Sequence, residues 1–430
     1  MADPIVKFFI LVAGHEYTDK GLDFDVMCTH RAQEQIDTLN VAAKAKDATS
    51  LVAAPATLRF VRFRFTTGEI QVIEYELGAK GGKTVSLTQK SWKPLSSITD
   101  STEYNPAAFV TTRVLREIKD SDYQTAAHQY PTFKSGHAQD DVMSITDVYE
   151  SVQRAPDGSV VELSIFSHGF DDGPILVNSD EVSGTPAEKR DPFDKDGRAA
   201  KDFLPDMGDG SGVVNHRDHF ASSFDAKGFI QVWGCNASQA PNKVVNQAYS
   251  RRRRQKDKIG KDLAAGKAIA NDANIDFDFS GGGDEQTFRE AHYKEDAFFP
   301  HDSSGNADPT VETFTRTFLQ IRQYVARQVD GCYMYQAASK TGVKGFGALP
   351  GMEGDDERTK KYNLMQVCRK QSPNPHHLDP DKLECPNGYE PRMRFYENVN
   401  YVGIGFNSRG YGILDKVAVD NVKSVLALTP

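Results

Sequence analysis

Cysteines are few in this sequence, and their spacing does not suggest cross-linking. Five occur among 430 residues, at positions 28, 235, 332, 368 and 385, and no two form a C-x-x-C pair. An odd number at wide spacing argues against a disulfide framework or a four-cysteine zinc site and favours a reducing compartment. Cys368 and Cys385 flank a proline-rich segment and could still pair.

Long apolar runs are also absent. No segment reaches the ~20 apolar residues that a membrane helix needs, so we expect no membrane span. Residues 5–14 are apolar, but the run is short and lacks the basic start of a secretory signal. We therefore expect a protein that is cytoplasmic as synthesised, with no cleavable signal peptide. Export by a specialised secretion system would be compatible with this sequence.

Two motifs of common enzyme classes are missing. There is no G-x-x-x-x-G-K-[ST] phosphate loop and no G-x-S-x-G nucleophile elbow, which argues against P-loop enzymes and serine α/β-hydrolases. The net charge is −9, so we expect no nucleic-acid partner. The four arginines at 251–254 are typical of a solvated helix face, although they could also bind an acidic partner or be a processing site. We expect no cofactor.

What the chain does contain is an alternation of buried strands with amphipathic helices. Three segments are apolar enough to be strands covered on both faces: residues 5–14, 160–166 and 228–234. Residues 140–154 and 313–338 carry apolar side chains at helical spacing, and a further strand is expected within 342–350. This order predicts an α/β fold with a mainly parallel central sheet flanked by helices.

A β hairpin is the clearest local signal. Residues 58–65 and 70–77 alternate apolar and charged side chains on either side of a Thr-Thr-Gly-Glu turn, which predicts two antiparallel strands with one buried face. The Ser/Thr-rich residues that follow, 79–102, read as a loop region. Helices are also predicted over residues 29–45 and 240–270.

The sequence predicts one α/β domain, interrupted by polar segments, and a C-terminal extension. Residues 178–225 and 271–309 are rich in charged residues and glycine and read as long loop-like insertions. They interrupt a predicted catalytic α/β domain over residues 1–350. Residues 351–430 are predicted to form a C-terminal extension packed on that domain, with short strands and a final turn or helix.

Two reactive side chains stand at the ends of predicted strands. His168 and Gly169 follow one buried strand, and Gly234 and Cys235 follow the next. Sites in such sheets form beyond the carboxyl ends of the strands, so we expect these residues to share an edge. An imidazole can generate the thiolate that a cysteine nucleophile needs. The glycines would allow sharp turns, and the N–H groups of Gly169 and Cys235 could stabilise an oxyanion.

This pattern resembles the caspase–gingipain–separase superfamily of cysteine peptidases, clan CD. In that group a His-Gly ends one core strand and a Cys followed by small residues ends the next, as Cys-Asn-Ala-Ser does at 235–238. The resemblance covers residues 140–350, with residues 5–14 as the first strand. It implies a caspase-like three-layer sandwich and a dyad with Cys235 as nucleophile and His168 as acid/base, acting on a protein or peptide substrate.

The sequence departs from that family in its long insertions and in the Trp-Gly before the cysteine, and no substrate pocket can be matched. A bacterial effector or toxin would be compatible with the insertions. The alternative from another class is a catalytically silent α/β scaffold that binds a protein partner through its insertions, with Cys235 as an inert buried thiol. The sequence does not indicate an oligomeric state.

Other candidate side chains have weaker support. His216 and His219, with the acid between them, could form part of a metal site, but no third ligand stands out and we expect no metal. His15 ends the first predicted strand and could contribute to the site. The acidic pairs at 171–172 and 355–356 could recognise a basic substrate side chain, although exposed loop acids are more common.

Overall fold

The structure is a computed structural model, and it describes residues 5–14, 16, 21–45, 56–67, 69–77, 82–91, 145–170, 173–176, 220–254, 262, 267–356, 361–367 and 395–428. The strands are β1 (Ile5–Ala13), β2 (Ala56–Arg64), β3 (Glu69–Leu77), β4 (Lys83–Ser91), β5 (Val160–Phe166), β6 (His168–Phe170), β7 (Gly173–Ile175), β8 (Phe224–Trp233), β9 (Asn274–Asp278), β10 (Thr313–Thr317), β11 (Lys344–Gly347), β12 (Gly354–Asp356), β13 (Met365–Val367), β14 (Gly405–Phe406) and β15 (Gly412–Leu414). The longer helices are α1 (Phe24–Ala45), α2 (Ile145–Arg154), α3 (Gln239–Arg254), α4 (Asp284–His292), α5 (Phe318–Gly331), α6 (Tyr333–Thr341) and α7 (Lys416–Ala427).

A nine-stranded mixed sheet forms the centre of the fold, in the order β14-β15-β11-β8-β5-β1-β2-β3-β4. Strands β2, β1, β5, β8 and β11 run parallel to their neighbours in this central part. Antiparallel strands extend both sides, with β3 and β4 beyond β2 and with β15 and β14 beyond β11. The predicted α/β fold with a mainly parallel central sheet is confirmed.

Helices cover both faces of the sheet. Arg31 of α1 lies over the ring of Phe229 on β8, which places α1 on that face. Phe346 of β11 packs edge-on against Phe229 and so shares this face. Its neighbour Gly347 therefore points the opposite way, where a Cβ atom would meet Met334 of α6. A three-layer arrangement follows.

The central strands are apolar because they are covered on both sides. All seven residues of β5 are buried, and the one acid among them, Glu162, is fully buried. Arg31 of α1 satisfies Glu162 with two bonds, at 2.7 Å to Oε1 and 2.9 Å to Oε2. Gln35 donates to Oε2 as well, at 2.5 Å. A buried carboxylate needs such partners, since an unpaired buried charge is costly.

The predicted hairpin is confirmed, but it continues the sheet instead of standing apart. Strands β2 and β3 pair from Ala56 with Leu77 to Arg64 with Glu69, and β2 also pairs parallel with β1. The loop predicted over residues 79–102 is wrong for residues 83–91, which form β4 and pair with β3. Its sequence alternates Val85 and Leu87 with polar residues, a strand pattern that its many Ser, Thr and Lys residues obscure.

The loop-like interpretation of residues 271–309 is also wrong. This segment contains β9 and α4, and β9 alternates buried and exposed residues. Phe277 of β9 and Phe279, the residue after β9, stack on Phe314 of β10, and Phe279 also stacks on Phe288 of α4. These aromatic side chains thus anchor the polar segment in the common hydrophobic core.

Two predicted helices have different bounds in the structure. A helix was expected over residues 313–338, but its first five residues, Thr313–Thr317, form strand β10 and pair with β9. Thr317 then caps α5 through a capping box with Gln320, and extended backbone at Cys332 separates α5 from α6. The helix expected over residues 240–270 is present as α3 from Gln239 to Arg254, residues 267–270 are not helical, and most residues between them lie outside the described part of the chain. Residues 140–144 of the third predicted helix lie outside the described residues.

Residues near the C-terminus join the central sheet. β15 pairs antiparallel with β11, and α7 follows it with Asp415 as its N-cap. The short strands and terminal helix expected here are present, while the domain boundary at residue 350 stays a prediction. Within the described part of the chain, no helix is long and apolar enough to cross a membrane.

Glu34 makes the stability of the fold depend on pH. Its carboxylate contacts Arg31 at 2.5 Å and Arg409 at 2.6 Å. Partial burial acts to raise the pKa of Glu34, but the two guanidinium groups outweigh it and hold the pKa below the ordinary 4.5. A carboxylate with a lowered folded-state pKa stabilises the fold above its unfolded pKa, and this contribution is lost as pH falls through the folded-state pKa.

We therefore expect Glu34→Gln to lower the free energy of unfolding most at neutral pH, with the difference from wild type shrinking below pH 4.5. Urea denaturation at a series of pH values measures this. Glu76→Gln is the matched control, because Glu76 is exposed and lies 3.8 Å from Lys83. A difference for Glu34→Gln that is the same at every pH would contradict the prediction.

Candidate active site

Four parallel strands end side by side at one edge of the sheet. In the register of the sheet, Ala13 of β1 lies opposite Phe166 of β5 and Arg64 of β2, and Phe166 lies opposite Trp233 of β8. Backbone bonds continue past these ends, from Ser167 N to the Trp233 carbonyl at 3.3 Å among others. The residues that follow β1, β5 and β8 are therefore brought to one place, as expected of parallel strands.

Gly169 and Gly234 lie where the segments after β5 and β8 touch. A Cβ atom on Gly169 would lie 2.3 Å from the Cys235 carbonyl oxygen, and one on Gly234 would lie 2.6 Å from the Ser167 carbonyl oxygen. Neither glycine is among those with positive φ. Glycine is therefore needed at these two positions because two backbone segments approach closely, and not because of the sharp turn that the sequence predicted.

Gly169→Ala is expected to lower the free energy of unfolding by about 1–3 kcal/mol, because the new methyl group must push two backbone segments apart. Gly331→Ala is the matched control. A Cβ atom there would meet nothing within 4 Å, and alanine suits the end of a helix better than glycine. Urea unfolding compares the two variants, and equal stability of both would contradict the close-approach explanation.

Cys235 lies between β8 and the segment that leads into β12. The Gly354 N–H donates to Cys235 Sγ at 3.1 Å. The next residue, Asn236, donates its N–H to the Met352 carbonyl at 2.8 Å and accepts from Gly351 N at 2.6 Å. These bonds fix the backbone on both sides of the sulfur, and the Cys235 thiol also lies 3.8 Å from the Gly354 carbonyl oxygen, to which it can donate.

The cysteines of the described residues differ in environment. Cys28 and Cys332 are buried, whereas Cys235 is partly exposed. Burial raises the pKa of Cys28 well above its usual range and that of Cys332 to about 12. Both thiols are therefore protonated and shielded near neutral pH, which leaves Cys235 as the accessible sulfur within the described ranges.

His168 is held by two side chains from other elements. Its Nε2 lies 2.9 Å from Oε1 of Glu16, which follows β1. The edge of its ring packs against Phe24, the first residue of α1, with ring centroids 5.2 Å apart. The side chains of His168 and Glu16 are 11% and 18% exposed, so water competes little for this bond.

A polar network underlies the site on the α1 side of the sheet. Trp233 Nε1 donates to Ser164 Oγ at 2.9 Å, and Ser164 donates to the buried Glu162. The guanidinium group of Arg31 lies 5.3 Å from the Trp233 ring centroid, and the Trp233 ring stacks on Phe166 at 5.0 Å. These contacts connect the C-terminal ends of β5 and β8, the two strands that His168 and Cys235 follow.

Of the remaining predicted candidates, the structure describes only the acidic pair at 355–356. His15, the acidic pair at 171–172, His216, His219, Cys368 and Cys385 lie outside the described residues, as does most of the insertion at 178–225. The acids at 355–356 belong to β12, directly after Gly354. No group of three His, Cys, Asp or Glu side chains suited to a metal occurs in the part of the chain described here.

Sequence reasoning missed three contributors to the site. Glu16 had a signal, because it follows a buried parallel strand just as His168 does. Phe24 and Gly354 had none, because each reaches the site from an element whose packing a single sequence does not reveal.

No known protein-family model and no curated protein sequence matches this chain.

Proposed function

We propose that this protein is a cysteine hydrolase, and more specifically an endopeptidase of the caspase-like kind, with Cys235 as nucleophile and His168 as acid/base. The observation that carries the proposal is the meeting of two strand ends. Gly169 lies against the Cys235 carbonyl, so the His-bearing and Cys-bearing segments are in direct contact. Cys235 is partly exposed, whereas Cys28 and Cys332 are buried, and this difference supports the same assignment.

The reaction that this arrangement supports is acyl transfer. The Cys235 thiol gives its proton to His168, and the thiolate attacks the substrate carbonyl carbon, whose oxygen takes the negative charge. The imidazolium then protonates the leaving amine as the C–N bond breaks, which leaves a thioester on Cys235. Water attacks the thioester with His168 as base, and release of the acid restores the thiol.

The tetrahedral oxyanion needs hydrogen-bond donors that are already in place. In this proposal they are the backbone N–H groups of Gly169 and Cys235, which belong to the two segments in contact. The Gly354 N–H stabilises the thiolate before attack, since it donates to Sγ at 3.1 Å. No charged side chain is required for either task.

Alkylation with iodoacetamide at neutral pH tests the proposal without a known substrate. Cys368 and Cys385 are first replaced by serine, and modified peptides are counted by mass spectrometry after brief exposure of the folded chain. We expect Cys235 to react, and its rate to fall about tenfold or more in His168→Ala because an imidazole base promotes thiolate formation. Cys28 and Cys332 are internal controls that should stay unmodified.

An unreactive Cys235 in the folded chain, with full modification in urea, would overturn the proposal. It would instead favour the catalytically silent scaffold, in which the thiol is inert. Rapid modification that does not depend on His168 would overturn the dyad and leave a cysteine that is merely exposed.

A further inference from the structure

The bond between Glu16 and His168 has a role that the dyad alone does not include. We infer that Glu16 is a positioning residue, which holds the His168 ring in one orientation and one tautomer; this inference rests on the proposed function. A carboxylate oxygen can only accept a hydrogen bond. Since Glu16 Oε1 lies 2.9 Å from Nε2, Nε2 carries the proton in the neutral ring, and Nδ1 is the nitrogen that exchanges protons in the reaction.

The local backbone explains how Glu16 reaches the histidine. Gly14 follows β1 and donates its N–H to the Phe166 carbonyl at 2.8 Å. A Cβ atom on Gly14 would lie 2.8 Å from Cβ of Ser167, so only glycine lets the chain pass this close to the segment that bears His168. Two residues later, Glu16 stands beside the imidazole.

Burial strengthens the hydrogen bond between Glu16 and His168. The Glu16 side chain is 18% exposed and that of His168 is 11% exposed, so water does not screen the pair as it would on an open surface. Phe24 packs edge-on against the imidazole at 5.2 Å between centroids. The ring is thus fixed by a charge-assisted bond at one nitrogen and by an apolar wall, which limits both flipping and rotation.

A carboxylate in this place also stabilises the imidazolium that forms when Cys235 gives up its proton. That contribution exists only while the ring is charged, so it assists the chemical step more than substrate binding. Loss of Glu16 should therefore reduce kcat and leave KM nearly unchanged. A purely structural ion pair would instead change stability, with the remaining folded molecules fully active.

Imidazole ¹⁵N NMR on the full chain with labelled histidine tests the tautomer directly. The His168 signals are identified by their loss in His168→Gln. We expect the Nε2–H tautomer in the wild type and a mixture of tautomers in Glu16→Ala. We also expect kcat for a peptide substrate to fall roughly 10²-fold in Glu16→Ala with KM within about twofold, as for loss of a group that supports general acid–base catalysis.

Asp23→Asn is the matched control, because it removes a nearby negative charge yet keeps the oxygen that caps the Val26 N–H at 2.9 Å. It should change neither the tautomer nor kcat. Glu16→Asp, which retains a carboxylate, should recover part of the lost rate. If Glu16→Ala proves unstable, Glu16→Leu, which is of similar size and has no hydrogen-bond acceptor, serves in the same measurements.

An unchanged tautomer in Glu16→Ala or Glu16→Leu, together with unchanged kcat, would overturn the inference. Failure of the proposed function would look different. In that case the wild type would turn over no peptide and Cys235 would resist alkylation, whereas the NMR comparison would still show whether Glu16 sets the His168 ring.

Discussion

Cys235→Ala is expected to lower kcat for peptide hydrolysis by about 10⁴-fold or more and to leave the chain folded, because removal of a nucleophile leaves only binding and oxyanion stabilisation. The assay is a positional library of fluorogenic peptide amides, with circular dichroism as the measure of folding. The side chain at this position is partly exposed, so its loss opens no large cavity and should cost little stability.

Cys332→Ala is the control for this experiment. Cys332 is buried at the junction of α5 and α6 and has no role in the proposed mechanism, so its replacement should lower stability slightly and keep the rate. His168→Ala should be nearly as inactive as Cys235→Ala, and the double variant should be no worse, because residues that act as one unit have non-additive effects. Substantial turnover by Cys235→Ala would refute the mechanism.

Arg31→Met is expected to lower the free energy of unfolding by about 3–5 kcal/mol, because it leaves the fully buried Glu162 without its charged partner. The guanidinium group makes two bonds to this carboxylate, at 2.7 Å and 2.9 Å. It also lies over the Trp233 ring, so the loss includes packing against the strand that carries Cys235. Urea unfolding at neutral pH gives the magnitude.

A paired replacement separates charge burial from packing. Arg31→Met combined with Glu162→Leu removes both charges and should recover most of the loss, since replacing a buried ion pair by apolar side chains is often close to neutral. Lys83→Met, which breaks an exposed ion pair to Glu76 at 3.8 Å, should have no measurable effect. A double variant as unstable as Arg31→Met would show that the pair stabilises the fold by more than mutual neutralisation.

The sequence predicts the centre of this fold well. Strands buried on both faces are nearly continuous apolar runs, and β1, β5 and β8 have that character. The hairpin of β2 and β3 was predictable from its alternation of apolar and charged residues. Strand β4 and the segment from β9 to α4 were not, because their polar and glycine content resembles that of loops while their order comes from strand pairing and aromatic packing.

For the candidate site, the sequence predicted the residues at the strand ends but not the residues that reach the site from other elements. His168 and Cys235 share an edge because parallel strands in register end together, and this follows from the sequence. Glu16, Phe24 and Gly354 reach the site from other elements, and their positions depend on how those elements pack. The close approach at Gly169 likewise appears only in three dimensions, since nothing in the sequence fixes which backbone it meets.

The order of the strands has a consequence for translation. β1, the first strand in the chain, lies inside the sheet between β5 and β2, whereas β15 near residue 414 is the last strand to join and lies between β11 and β14. Arg409 also reaches back to Glu34, 375 residues earlier in the chain. A nascent chain that already contains His168 and Cys235 still lacks β11 and β15, so its central sheet is incomplete. The backbone that surrounds Cys235 is therefore completed only by residues that are made after it, since Gly354 and Met352 supply its neighbouring contacts.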